Sequence, residues 1–346
     1  VEQNWPAKAP LDGLVVTRYQ HGLLTNRVTV IEAAHPVPDA RGEKAAQAIL
    51  RRVKSLTPDD LLLVLVSGGG SALLSLPVEG IAMDELKTVT RELLKCGAPI
   101  QDMNTVRKHL SAIQGGRLAA ACRAQVVALV ISDVTGDDPT HIASGPCAPD
   151  PTTYQDASDI LKRYEVRAPR AVTAHLQRGA KGEIPETPKP GSRIFKRVEN
   201  RVIATAQASL QAAAGFFIGH DIHPAILGDS VTGEAREVAK VYGALAREVK
   251  QHGLPYQPPV ALISQTPRDA ATKIRPSGCQ SAPVMSYSFS GMVETRADFI
   301  HKNSIALKEA NETDYWTNAE NAQSFRAEMN RHGQYVGVRH APSKYM

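Results

Sequence analysis

The segment Leu61-Leu62-Leu63-Val64-Leu65-Val66-Ser67-Gly68-Gly69-Gly70-Ser71-Ala72-Leu73-Leu74 constrains the fold of this chain more than any other. Its six leading apolar residues predict a strand buried on both faces. The three glycines that follow free the backbone to turn sharply. Main-chain N–H groups flanked by Ser67 and Ser71 then form a nest for an anion, often where a helix begins. The expectation is an α/β domain that holds a phosphate or a carboxylate at the end of this strand. A tight strand-to-helix turn with no ligand would use the same residues. The loop matches neither the Gly-Lys-Ser/Thr ending of a Walker A loop nor the Gly-x-Gly-x-x-Gly dinucleotide fingerprint.

Strand and helix signals alternate along the chain. Strands are predicted at 14–17, 28–31, 126–132, 201–205, 223–227 and 259–264. Helices are predicted at 40–53, 83–94, 103–113, 117–122, 154–164, 207–214 and 232–252. Asp84 and Glu85 in the first turn of the second helix, with Lys95 at its end, match the helix dipole. Residues 181–192, rich in Pro, Gly and charge, read as a surface loop. Such alternation argues for a parallel sheet with helices on both faces, in which ligands bind at the carboxyl ends of the strands. The loops 67–71 and 133–138 both follow strands and are expected to face one crevice.

Three groups carry the chemistry. Ser67, Gly68, Gly69, Gly70 and Ser71 form the anion nest. Asn104, Arg107 and Lys108, spaced i, i+3 and i+4, share one helix face and offer an amide and two cations to a phosphate or carboxylate. A solvated face of charge would look the same. Asp133 and Asp137, at a strand end, suit Mg²⁺ or a hydroxyl proton, although Asp is also common in turns. Asp138, before Pro139, reads as structural. An anion nest, a cationic face and a carboxylate pair are the parts of a phosphoryl-transfer site, provided that they converge. His35 either contacts substrate or orders a proline turn, and His109 reads as a partly buried helix residue rather than a base. Glu234 is favoured near a helix start by the dipole alone.

Composition narrows the partners. The net charge is +5, but Lys and Arg are scattered and have no aromatic residues interleaved with them. Nucleic-acid binding is therefore a poor fit. No apolar stretch approaches the ~20 residues of a membrane span. The four cysteines show no Cys-x-x-Cys spacing and read as buried thiols of a reducing, cytoplasmic compartment. Self-association is left open.

Several motifs together resemble the class II glycerate kinases, whose members are named glycerate 2-kinase or hydroxypyruvate reductase. They are Glu32-Ala33-Ala34-His35-Pro36-Val37-Pro38-Asp39, the loop at 67–74, residues 103–111, Gly115-Gly116-Arg117-Leu118-Ala119, and Ile131-Ser132-Asp133-Val134 with Gly136-Asp137-Asp138-Pro139. Ile142-Ala143-Ser144-Gly145-Pro146 and Leu227-Gly228-Asp229 with Gly233-Glu234-Ala235-Arg236 complete them. The resemblance runs from about Asp12 to Ser264. It implies a Rossmann-like three-layer α/β domain over 1–264 with a mostly parallel sheet. It also implies ATP-dependent phosphorylation of D-glycerate at its 2-hydroxyl, with Mg²⁺. In that setting residues 67–71 and Asn104 would hold ATP or the substrate carboxylate. Lys108, Arg107 and Asp137 would be catalytic, and Asp133 and Asp137 would hold the metal. The family begins with a further helical stretch, a strand and a Gly-x-Gly-Lys turn, and continues after the position of Ser264 into a second domain. This chain is expected to lack both parts, with impaired activity as the consequence.

Residues 265–346 depart from that family. Within them, Arg296-Ala297-Asp298-Phe299-Ile300-His301-Lys302 and residues 304–316 resemble one helix of the small four-helix-bundle proteins linked to ribosomal RNA intervening sequences. A helix around 292–316 is expected, either docked through its apolar stripe or poorly ordered. The alternatives to an active kinase are an inactive remnant that binds nucleotide or small anions, a hydroxypyruvate reductase, and an interaction protein acting through the tail helix.

Overall fold

The computed structural model describes residues 2–264 except 3–4, 7, 220, 232–234 and 258–259, together with the backbone of Met285–Ser286. The helix expected around 292–316, and Cys279, lie outside the described residues. The chain divides into two units, one of Leu11–Thr205 and one of Val1–Pro10 with Ala206–Met346.

The unit Leu11–Thr205 opens with strands β1 (Gly13–Arg18) and β2 (Val28–Ala33), paired in parallel with Gly13 opposite Val28. Helix α1 (Ala40–Ser55) follows, capped by the Asp39 carboxylate, which accepts from Gly42 N–H at 2.9 Å. Then come β3 (Leu61–Val66), the single turn α2 (Gly70–Leu73), α3 (Met83–Lys95), α4 (Ile100–Leu110), α5 (Arg117–Ala121) and β4 (Gln125–Ile131). Helices α6 (Tyr154–Arg163) and α7 (Arg170–Ala180) precede β5 (Val198–Ala204). Strands β3, β4 and β5 form a parallel sheet in that order. Ala46 and Val53 of α1 and Leu118 and Ala119 of α5 bury one face of β4, against Val126 and Ala128, with Leu62 and Val64 of β3 beside them.

Three expectations need correction. The strand at 61–66 forms, but it is not buried on both faces: Leu61 is 51% and Leu65 40% exposed. Among the described residues β3 pairs only with β4 and β1 only with β2. Leu62 and Val64 enter the core, while side chains alternate across a strand, so Leu61, Leu63 and Leu65 point to the other face. Next, the helix expected at 103–113 begins and ends three residues earlier. Its end is set by tertiary pairing: Val78 N–H donates to Leu110 O at 3.0 Å and Ala112 N–H to Leu76 O at 2.8 Å, which draws Ser111 into an extended conformation. Finally, α7, whose buried apolar side chains are Val172 and Leu176, stands where no helix was anticipated.

The second unit contains α8 (Ala206–Ile218), β6 (His223–Gly228), α9 (Ala235–His252), β7 (Val260–Ser264) and β8 (Met285–Ser286), in a sheet ordered β6-β7-β8. Strand β7 is parallel to β6 and antiparallel to β8. Ala261 and Ile263 pack on Leu210, Ala213 and Phe217 of α8. Val260 and Leu262 pack on Ala246 and Val249 of α9. Here a central strand is buried on both faces.

Among the described residues no helix is long and apolar enough to cross a membrane. Cys122 and Cys147 are buried thiols, whereas Cys96, expected to be buried, is exposed.

Candidate functional site

The glycine loop leaves the end of β3. Gly69 is left-handed (φ 81°), a conformation natural to glycine, and Gly70 N–H closes the turn on Ser67 O at 3.3 Å. All three glycines also stand close to their neighbours. A Cβ at Gly68 would lie 2.0 Å from Asp133 Oδ2, one at Gly69 2.9 Å from His35 Nε2, and one at Gly70 2.6 Å from Ala143 Cβ. The loop is thus packed beneath a carboxylate, an imidazole and a methyl group. Among the described residues the N–H groups of Gly68 and Gly69 have no acceptor.

Asp133 therefore reaches the loop, as the sequence predicted. Burial raises its carboxyl pKa, and among the described residues no cation pairs with it. Asp137 is left-handed (φ 54°) and its N–H donates to Val134 O at 3.3 Å, within its own loop. Among the described residues no hydrogen bond or ion pair ties Asp137 to Asp133 or to the glycines, and no group of three His, Cys, Asp or Glu side chains could enclose a metal ion.

A hydrogen-bonded chain joins the loop to α4. Ser71 Oγ lies 2.9 Å from Ser144 Oγ, and Ser144 Oγ donates to Asn104 Oδ1 at 3.1 Å. Arg107 Nη1 donates to the same oxygen at 3.3 Å, and Asn104 Nδ2 donates to His141 O at 3.2 Å. Arg107 is partly buried, and desolvation lowers its pKa to about 10, so it stays cationic at neutral pH. Among the described residues no carboxylate pairs with it.

Lys108 does not share that face. It is turned inward, 1% exposed, with Nζ 2.7 Å from Asp150 Oδ1. The shared face inferred from the i, i+3, i+4 spacing is corrected for a simple reason: α3, α6, α7 and the turn Ile142–Ser144 all pack on α4, so most of its surface is interior. Buried charges must pair. Asp150 Oδ1 also accepts from Thr152 N–H and Oγ1. Burial alone would raise the Asp150 pKa, but Lys108 and Thr152 outweigh it and hold the group below the usual range. His109, expected to be partly buried, is fully enclosed and places Nε2 3.4 Å from Glu186 Oε2. Burial opposes ionisation of Glu186 as well, yet His109, the Tyr154 N–H and Lys189 hold its carboxyl at about 2.

Sequence reasoning missed Ser144, His141, Asp150 and Glu186. Ser144 and Asp150 lie in turn-rich segments that look like connections. Burial lowers the pKa of His141, and its Nδ1 has no partner among the described residues. The visible signal for Ser144 was its place in the motif Ile142-Ala143-Ser144-Gly145-Pro146.

The glycerate 2-kinase of Pyrococcus horikoshii is 41% identical over 257 residues, 73% of this chain and 57% of its own length. A family model described as a domain of unknown function, DUF4147, matches residues 1–177. The chain belongs to the family of that model, DUF4147. Another relative, from Agrobacterium vitis, carries the provisional name hydroxypyruvate reductase and is 45% identical over 265 residues, 76% of this chain and 58% of its own length. The crystal structure of glycerate kinase from Thermotoga maritima superposes with a TM-score of 0.63 at 37% identity, covering 78% of this chain and 62% of that one. The chain thus spans less than two thirds of the length of these family members.

Proposed function

We propose that this chain is a glycerate 2-kinase, transferring the γ-phosphoryl group of ATP to the 2-hydroxyl of D-glycerate. The reading is carried by one observation: a desolvated Arg107 guanidinium, without a carboxylate partner among the described residues, is tied through Asn104 and Ser144 to Ser71 of the glycine loop. Arg107 would pair, fork to fork, with the substrate carboxylate or a phosphate. The free N–H groups of Gly68 and Gly69 would donate to phosphate oxygens. The hydroxyl oxygen attacks the γ-phosphorus, the bond to the β–γ bridging oxygen breaks, ADP leaves, and the hydroxyl proton passes to a carboxylate, for which Asp137 is the candidate. Asp133, a desolvated carboxylate beside the phosphate loop, fits Mg²⁺, which commonly takes one or two protein carboxylates and completes its shell with phosphate oxygens and water. Bound there, the ion would neutralise phosphate charge. Lys108 is assigned to holding α4 in place, because its ammonium already faces Asp150.

ADP release dependent on D-glycerate, with Mg·ATP, tests this directly. Activity abolished by Arg107→Ala supports the reading. Titration showing ATP binding without any glycerate-dependent turnover would replace it with that of a non-catalytic anion binder. The name carried by the Agrobacterium relative makes a nicotinamide-dependent reductase the other reading. Loss of NADH absorbance on adding hydroxypyruvate would favour that one.

A further inference from the structure

The glycine loop follows β3 and Arg107 lies on α4, so something must hold them in register. Ser144 occupies the junction. It is fully buried and left-handed (φ 58°), between Ala143 (φ 51°) and Gly145 (φ 58°). Two successive non-glycine residues in that region are strained, and such strain persists only where the surroundings enforce it. They do so here: Gly115 N–H donates to Ser144 O at 2.9 Å, Gly116 N–H donates to Gly145 O at 2.7 Å, and Ala143 Cβ sits over Gly70.

The hydroxyl has one proton to give. Asn104 Nδ2 donates to His141 O, which fixes the amide so that Oδ1 faces Arg107 and Ser144. Ser144 must then donate to Oδ1 and accept from Ser71, 2.9 Å away. The donor order runs from the glycine loop through Ser144 to the amide that orients the guanidinium.

We infer that Ser144 is a positioning residue, whose strained backbone aims its hydroxyl so that the glycine loop and Arg107 grip one anion together. The inference rests on reading this site as a phosphate or carboxylate site.

Two variants separate positioning from folding. Ser144→Ala removes the hydroxyl and keeps the strained backbone. Ser144→Gly removes the hydroxyl and relieves the strain, so its thermal midpoint should match or exceed that of the parent. Both should bind inorganic phosphate about tenfold more weakly by calorimetry, the scale of one hydrogen bond to a charged network. Both should also show a sharper, more mobile Arg107 Nε–H signal by NMR. If Ser144→Gly binds phosphate as the parent does, or the Arg107 signal is unchanged in both variants, the inference fails. An absence of glycerate-dependent turnover in the parent would overturn the kinase reading alone, because the phosphate and NMR measurements need no turnover.

Discussion

Replacing Asp150 by Asn tests the assignment of Lys108 to structure. The change keeps shape, and it keeps an oxygen for Thr152 N–H and Oγ1, but removes the charge 2.7 Å from Nζ. The ammonium, 1% exposed, is left without its counter-ion. Breaking a buried pair from one side typically costs about 3–5 kcal/mol. At roughly 2–4 °C per kcal/mol for a unit of this size, the thermal midpoint should fall by about 6–20 °C. The double variant Lys108→Met with Asp150→Asn removes the stranded charge and should recover at least ~2 kcal/mol of the loss. Urea unfolding at pH 7 followed by circular dichroism measures both. The Asp150 pKa is depressed in the folded protein, so protonation favours the unfolded chain. The contribution is full above the ordinary carboxylate range and disappears as pH falls below it, and the gap between parent and variant should close in acid. A loss under ~1 kcal/mol for Asp150→Asn, or a double variant no better than the single one, would refute the buried-pair reasoning. Phosphate binding lost in the double variant while its fold persists would return Lys108 to the site.

Gly68→Ala should push Asp133 off the glycine loop, since the new Cβ would lie 2.0 Å from Oδ2, and reduce glycerate-dependent ADP release at least ~10-fold; unchanged turnover would count against a role for Asp133. Gly179→Ala drives a methyl to within 2.2 Å of the Tyr154 ring and should destabilise by about 1–3 kcal/mol in urea, a cost absent if the ring simply swings aside. Phosphate affinity should fall as pH rises through about 10, where Arg107 loses its charge, and that step should vanish in Arg107→Ala. Leu61→Thr with Leu65→Thr should cost under ~1 kcal/mol, because both side chains are exposed; a larger loss would mean that this face is covered in solution.

The amino-acid sequence by itself determined the alternation of strands and helices and the glycine loop at the end of β3. Those are short-range properties, set by apolar periodicity, turn residues and backbone freedom within a few positions. It also placed Asp133 at the loop, because a residue closing a neighbouring parallel strand emerges at the same sheet edge. Only the tertiary structure decided which faces are buried and which charges meet. The apolar runs of β3 and β7 look alike in sequence, yet β7 lies between two helices and β3 keeps leucines exposed. Arg107 and Lys108 are adjacent cations, but one faces Asn104 and the other a carboxylate 42 residues away. Burial and charge pairing belong to neighbours brought together by folding, so local pattern carries little record of them.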